Sequence, residues 1–180
     1  SRVETRSVLA FLPGQREIEY TASLLENRLP EGVQLHRLYG ALPQRLQDAA
    51  LAGSADSERK VVLSSAIAET SLTIEGVTTV IDSGLARLPV FEPSTGLTRL
   101  QTVRASRASV TQRAGRAGRL GPGRAVRLWR VEQTTGLPPH APPEILNSDL
   151  APLLLALTDW GVNDPGKLKW LDKPPRPALL

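Results

Sequence analysis

KVVLSSAIAETSLTIEGVTTVID, residues 60–82, decides the fold. Its two ends, residues 60–65 and 77–82, are short runs rich in Val and Ile. They are too short for buried helices and read as buried strands. Between them lies a hydroxyl-rich stretch with room for a short helix over residues 68–72. Strand, crossover, strand is the rhythm of a parallel sheet. The pattern repeats outward in both directions. Toward the N-terminus, residues 7–12 read as a strand ended by Pro13 and Gly14. Residues 15–29 follow with apolar positions Ile18, Ala22, Leu25 and Leu29 at helical spacing, stopped by Pro30 and Gly32. A strand over 33–38 and a helix over 43–51, with Pro43 in its first turn, complete that side. Toward the C-terminus, turn residues 93–96 sit between two extended runs, which predicts a β-hairpin over 88–101. A helix from 106 to about 116 and a last strand over 125–129 follow.

The expectation is an α/β fold with an open, doubly wound, mainly parallel sheet over residues 1–132, carrying the hairpin as an insertion. Residues 133–180 read as a Pro-rich linker and one apolar helix within 144–160, ended by Gly161. That tail is too small to bury a core of its own.

Composition removes several function classes. The 180 residues contain no Cys, so a disulfide scaffold, a zinc finger and a thiol nucleophile are excluded. Two His, at 36 and 140, make no His-based metal site, and no metal-binding residues are expected. No apolar run approaches the roughly 20 residues that span a bilayer, so no membrane partner is expected. No signal-peptide pattern opens the chain, and a cytoplasmic location is the expectation. The absence of Met predicts that Ser1 is not the natural start and that the chain is a piece of something longer.

Charge is unevenly placed. The net charge is +4 and the pI about 10.0, yet residues 93–131 hold nine Arg and no acid. The rest of the chain is therefore net acidic. Guanidinium groups present planar forks that suit phosphate oxygens. The clustering fits a phosphate-facing surface; taken alone it also fits a solvated basic face.

Residues 112–119, QRAGRAGR, concentrate that charge. On a helix Gln112, Arg116 and Arg119 stand at i, i+4 and i+7 and share one face. Two forks and one amide match the needs of a transferring phosphoryl group, which are charge neutralisation and an oriented water. Gly115 and Gly118 each cost about 1 kcal/mol in a helix interior relative to Ala. They point to a close approach by a backbone or ligand.

These residues resemble motif VI of the DEAH-box family of superfamily 2 helicases. Residues 64–74, SSAIAETSLTI, resemble its motif V; residues 11–19, FLPGQREIE, its motif IV; and residues 38–43, LYGALP, the segment that follows. All stand in family order, with wording most like the bacterial HrpB branch. The resemblance implies a RecA-like fold, the second of two such domains in an ATP-dependent RNA helicase. ATP, with Mg2+ held mainly by the other domain, would bind in the cleft between the two. Single-stranded RNA or DNA would run across both. Arg116 and Arg119 resemble arginine fingers, and Gln112 the residue that orients the attacking water. Asp82 resembles a contact to the nucleotide ribose, and Leu51 stands near a position where members stack an aromatic on the base. Ser65, Thr70 and Ser71 of motif V, with Gly14 and Gln15 of motif IV, are implied contacts to the nucleic-acid backbone, Thr70 first among them. The hairpin falls where members carry one that helps split strands, and the tail resembles the beginning of a winged-helix domain.

Two departures matter. Ala66 stands where the family usually has Asn, which removes one polar contact, and Leu51 offers only an apolar surface. Residues 161–168, GVNDPGKL, imitate a P-loop, but Leu168 replaces the Ser or Thr, Pro165 interrupts, and a helix rather than a strand precedes. The chain has no GxxxxGK[ST] and no DExH, so alone it is expected not to hydrolyse ATP. A stand-alone basic nucleic-acid-binding module and an inactive RecA-like scaffold are the other readings. What separates them is whether Gln112, Arg116, Arg119 and Asp82 come together in space.

Overall fold

The structure, a computed structural model, describes residues 7–53, 59–69, 74–119, 121–162 and 164–179. The chain divides into two units, Ser1–Ala86 with Thr102–Ala141, and Arg87–Gln101 with Pro142–Leu180. The strands are β1 Ser7–Phe11, β2 Val33–Leu38, β3 Arg59–Ser64, β4 Val77–Asp82, β5 Leu85–Glu92, β6 Leu97–Arg104 and β7 Arg124–Arg127. The helices are α1 Gln15–Leu25, α2 Gln44–Leu51, α3 Arg107–Gly115 and α4 Ala151–Asp159.

In the first unit β2, β3, β1, β4 and β7 form one parallel sheet in that order. Register explains the alternation of side chains. Leu9 lies beside Val62 and Val80, while Ala10 lies beside Leu63 and Ile81. Leu9, Phe11, Val62 and Val80 bury one face against Leu38, Ala50, Ala68 and Ala117. Leu63, with Ala10 and Val61, meets Ile18 and Ala22 of α1 on the other face. Both faces are covered, as the β-branched runs predict. Each of the fully buried Leu and Phe side chains contributes about 1.5–3 kcal/mol.

Differences from expectation are local. Helix α1 stops at Leu25, and residues 26–29 close in tight turns such as Arg28 N–H to Leu25 O at 2.8 Å. Pro30 drives the residue before it out of helical geometry. Pro43 is the N-cap of α2, with ψ 138°, rather than a residue of its first turn. The expected helix over 68–72 is a single 3₁₀ turn at Ala66–Ala68, and residues 70–73 lie outside the described residues. The antiparallel hairpin β5–β6 is longer than its sequence signal. The hairpin tip groups with the tail, where Phe91 N–H donates to Asn147 O at 2.7 Å. Within that second unit Gly161, at φ 82°, ends α4 in the left-handed region. The P-loop imitation is a 3₁₀ turn capped by Asp164, whose Oδ1 accepts from Gly166 N–H at 3.0 Å.

Lys60 is buried at 3% exposure. Its Nζ donates to Ala49 O at 3.2 Å and to Ala52 O, so the ammonium closes the carbonyl end of α2. Neighbouring His36 is half-buried. Burial first, and the Lys60 charge second, hold its pKa below the ordinary imidazole value. The folded state thus resists a proton that the unfolded chain takes up below about pH 6.5. Stability from this term is complete above that pH and declines as pH falls through it. We expect the urea midpoint to fall between pH 7.5 and 5.5, and His36→Asn to flatten the fall. An identical fall in both proteins would refute the assignment.

Candidate active site

Helix α3 carries the site, and its start is well determined. Ser106 Oγ accepts from Ser109 N–H at 3.1 Å, which caps the helix. Two further orphan donors, Arg107 N–H and Ala108 N–H, reach Pro138 O and Pro139 O at 2.8 and 3.0 Å. Ala105, Val110 and Leu137 pack behind them. The α-helix ends at Gly115, and Arg116–Gly118 continue as a 3₁₀ turn. The face shared by residues 112, 116 and 119 is therefore not one unbroken α-helix. It still converges: Gln112, Gly115, Arg116 and Arg119, with Glu69, line one pocket of about 370 Å³. A Cβ on Gly115 or Gly118 would meet nothing within 4 Å, so no backbone of this chain crowds them.

Arg116 is nearly buried, and its Nε donates to Glu69 O at 3.1 Å while Nη2 donates to the same oxygen. Burial lowers its pKa first, the Arg119 charge adds to the lowering, and Glu69 opposes it. The guanidinium stays charged at any working pH. Two like charges held side by side attract an anion.

Beneath the pocket lies an arrangement that sequence reasoning missed. Arg113 is 1% exposed and belongs to the core. Its Nε donates to Glu69 Oε2 at 3.0 Å, and its Nη1 donates to Asp82 Oδ1 and to Leu85 O, both at 3.0 Å. Its guanidinium carbon sits 5.2 Å from the Phe11 ring centroid. The nine-Arg stretch is thus not one phosphate-facing surface. Arg113 is neutralised from inside by acids outside the stretch, and Arg99 pairs with Glu92 at 3.3 Å. The helical spacing from Val110 to Arg113, both buried, was the available signal.

The other expected residues fall as follows. Asp82 is buried, and its Oδ1 also accepts from Gly84 N–H at 2.8 Å. It does not line the pocket; its Oδ1 pairs with Arg113, and its Oδ2 is buried with no hydrogen-bond partner among the described residues. Leu51 is half-buried against the core around Ala50 and does not line the pocket. Gly14 is the N-cap of α1, and its carbonyl accepts from Ile18 N–H at 3.1 Å, with Gln15 exposed beside it. Ser65 follows β3 and donates its N–H to Leu38 O at 3.0 Å. Gly14, Ser65 and Asp82 all stand at the carboxyl ends of parallel strands, the edge where open α/β sheets bind ligands. Thr70 and Ser71 lie outside the described residues.

Known proteins resemble this chain in sequence and fold. The helicase conserved C-terminal domain family matches residues 1–121. The chain belongs to the helicase C-terminal domain family, in its DEAH-box, HrpB-like branch. It is 49% identical over 179 residues to the ATP-dependent RNA helicase HrpB of Escherichia coli K12, covering 99% of this chain and 22% of that protein. It is 38% identical over 185 residues to the probable ATP-dependent RNA helicase DHR2 of Saccharomyces cerevisiae, covering 98% and 25%. A crystal structure titled E. coli DEAH/RHA helicase HrpB superposes with a TM-score of 0.91 at 49% identity, covering 99% of this chain and 23% of that one. Another, titled E. coli DExH-box NTPase HrpB, gives 0.88 over 99% and 22%. This helicase C-terminal domain has the RecA-like α/β fold. It spans about a quarter or less of the length of these relatives.

Proposed function

We propose that this domain is the second RecA-like half of an ATP-dependent RNA helicase and completes an ATPase site whose nucleotide the other half holds. The observation that carries the reading is the convergence of Gln112, Arg116 and Arg119 on one pocket. Bound ATP supplies the phosphoryl group. Arg116 and Arg119 offset the charge that spreads over its equatorial oxygens, and Gln112 orients the attacking water. Glu69 O holds the Arg116 fork in place before the reaction, so little reorganisation is left for the transition state. Among the described residues no group of His, Cys, Asp or Glu is arranged to hold a metal. Mg2+ would be held mainly by the other RecA-like half.

Single-stranded RNA is the proposed track ligand. Gly14, Gln15 and Ser65, with Thr70 and Ser71 following in motif V, would contact its phosphates at the carboxyl edge of the sheet. The downstream winged-helix region and the other RecA-like domain are the proposed intramolecular partners. In the longer protein, Gln112→Ala is expected to lower kcat for RNA-stimulated ATP hydrolysis by about 10²-fold with the KM for ATP held within about twofold. An unchanged kcat would remove Gln112 from the site.

A further inference from the structure

A second pocket, of about 450 Å³, lies in the first unit at the carboxyl end of β7. Ala125, Arg127, Trp129, Val131 and Thr134 line it. Ala125 and Arg127 alternate along β7 and so point to one side, and Trp129 follows just beyond the strand. β7 is an edge strand, paired only with β4, and Ala125 and Arg127 remain exposed.

The indole is held rigidly. Trp129 Nε1–H donates to Thr134 Oγ1 at 3.0 Å. One side of the ring rests on Gly84, where a Cβ would stand 2.7 Å from Trp129 Cε3, so no larger residue fits at φ 71° there. Ala105, Val110 and Leu137 support its base. Arg104 and Arg127 each place a guanidinium carbon 5.7 Å from the ring centroid. Neither forms an ion pair among the described residues. Two unneutralised forks therefore lie over a fixed indole beside an open pocket large enough for a nucleobase.

We propose that Arg104, Arg127 and Trp129 form a further single-stranded RNA contact, with phosphates on the two guanidiniums and a base in the pocket beside the indole. Aromatic platforms flanked by arginines bind single strands in this way without reading sequence. Charge alone would also admit an acidic peptide, but the seated indole beside Ala125 and Val131 favours a flat base. The pocket and Ser65 both lie toward the carboxyl ends of strands of one sheet. β3 and β7 are three strand spacings apart in the sheet order, about 14 Å. That is the reach of two or three nucleotides from Ser65. The inference rests on the RNA reading above, but not on the ATPase assignment.

The test is fluorescence anisotropy of the 180-residue chain with a labelled 15-nucleotide oligouridylate across a salt series, with melting curves as the folding control. The Arg104→Gln/Arg127→Gln variant is expected to bind about tenfold more weakly at 100 mM salt. Its log–log salt slope should be shallower by about 1.4, since each lost phosphate contact removes about 0.7. Arg104→Lys/Arg127→Lys should keep the slope, and Trp129→Leu should weaken binding about tenfold without changing it. Wild-type binding with an unaltered variant slope would overturn this contact and leave the RNA reading intact. No wild-type binding would overturn both. An Arg104- and Arg127-dependent preference for an oligoglutamate peptide over the RNA would reassign the pocket to an acidic protein partner.

Discussion

Arg116→Ala in the longer, two-domain protein should lower ATP turnover by 10³-fold or more. An arginine supplied to a transferring phosphoryl group contributes about 10³–10⁵ in rate, because its charge meets the charge developing on the equatorial oxygens. The proposed role rests on geometry: Arg116 lines the pocket with Gln112 and Arg119, and both Nε and Nη2 are anchored on Glu69 O. Removing it leaves Arg119 alone and frees the Glu69 carbonyl. Arg116→Lys should recover little, since an ammonium keeps the charge but loses the planar fork. Nucleotide affinity should change far less than kcat, because the missing interaction is made in the transition state. Steady-state ATPase assays with a parallel nucleotide-binding titration separate the two. Turnover within threefold of wild type would show that Arg116 is not a finger.

The second large effect concerns folding rather than chemistry. Arg113→Met should destabilise the domain by about 3–5 kcal/mol, the cost of leaving one side of a buried ion pair without its partner. Asp82 would remain buried with Gly84 N–H as its donor, and Glu69 Oε2 would lose its partner. At 1% exposure solvent cannot compensate. A fall in melting temperature on the order of 10 °C is expected. Adding Asp82→Asn to Arg113→Met should return part of the loss, because a neutral amide costs less to bury than a carboxylate. If the single variant melts with wild type, the network is not structural.

These two arginines, three residues apart, show what could be read in advance. The strands at 33–38 and 77–82 match β2 and β4 residue for residue, the first from a weak alternation set off by Pro30, Gly32 and Gly40, the second from its Val and Ile content after Gly76. The Gln112, Arg116 and Arg119 grouping was legible because its members lie within one helical stretch, and the 3₁₀ turn at 116 bends that stretch without scattering them. Arg113 was not legible as an interior residue. Its partners, Glu69 and Asp82, stand 44 and 31 positions away, and nothing in local spacing announces a pairing that only the sheet creates. Asp82 was legible at the sheet edge because strand order sets the edge, whereas its pairing with Arg113 is set by tertiary neighbours. Trp129 is similar, since its seat on Gly84 joins two loops 45 positions apart in the chain.

The buried trio at 69, 82 and 113 also restricts how this sequence can drift. Replacing all three by apolar residues of similar volume could leave stability nearly unchanged, and either acid can go first because Arg113 stays paired with the other, but Arg113 and its last carboxylate would have to change together. Losing Arg113 first strands two carboxylates in the interior at several kcal/mol, against a total stability of about 5–15 kcal/mol for a domain of ordinary size. A lineage can therefore stay pinned at these positions even where the chemistry of the pocket is no longer under selection. Invariance at 113 among relatives would then report an interior locked by its own intermediates, and only the neighbouring positions 112, 116 and 119 would report on catalysis.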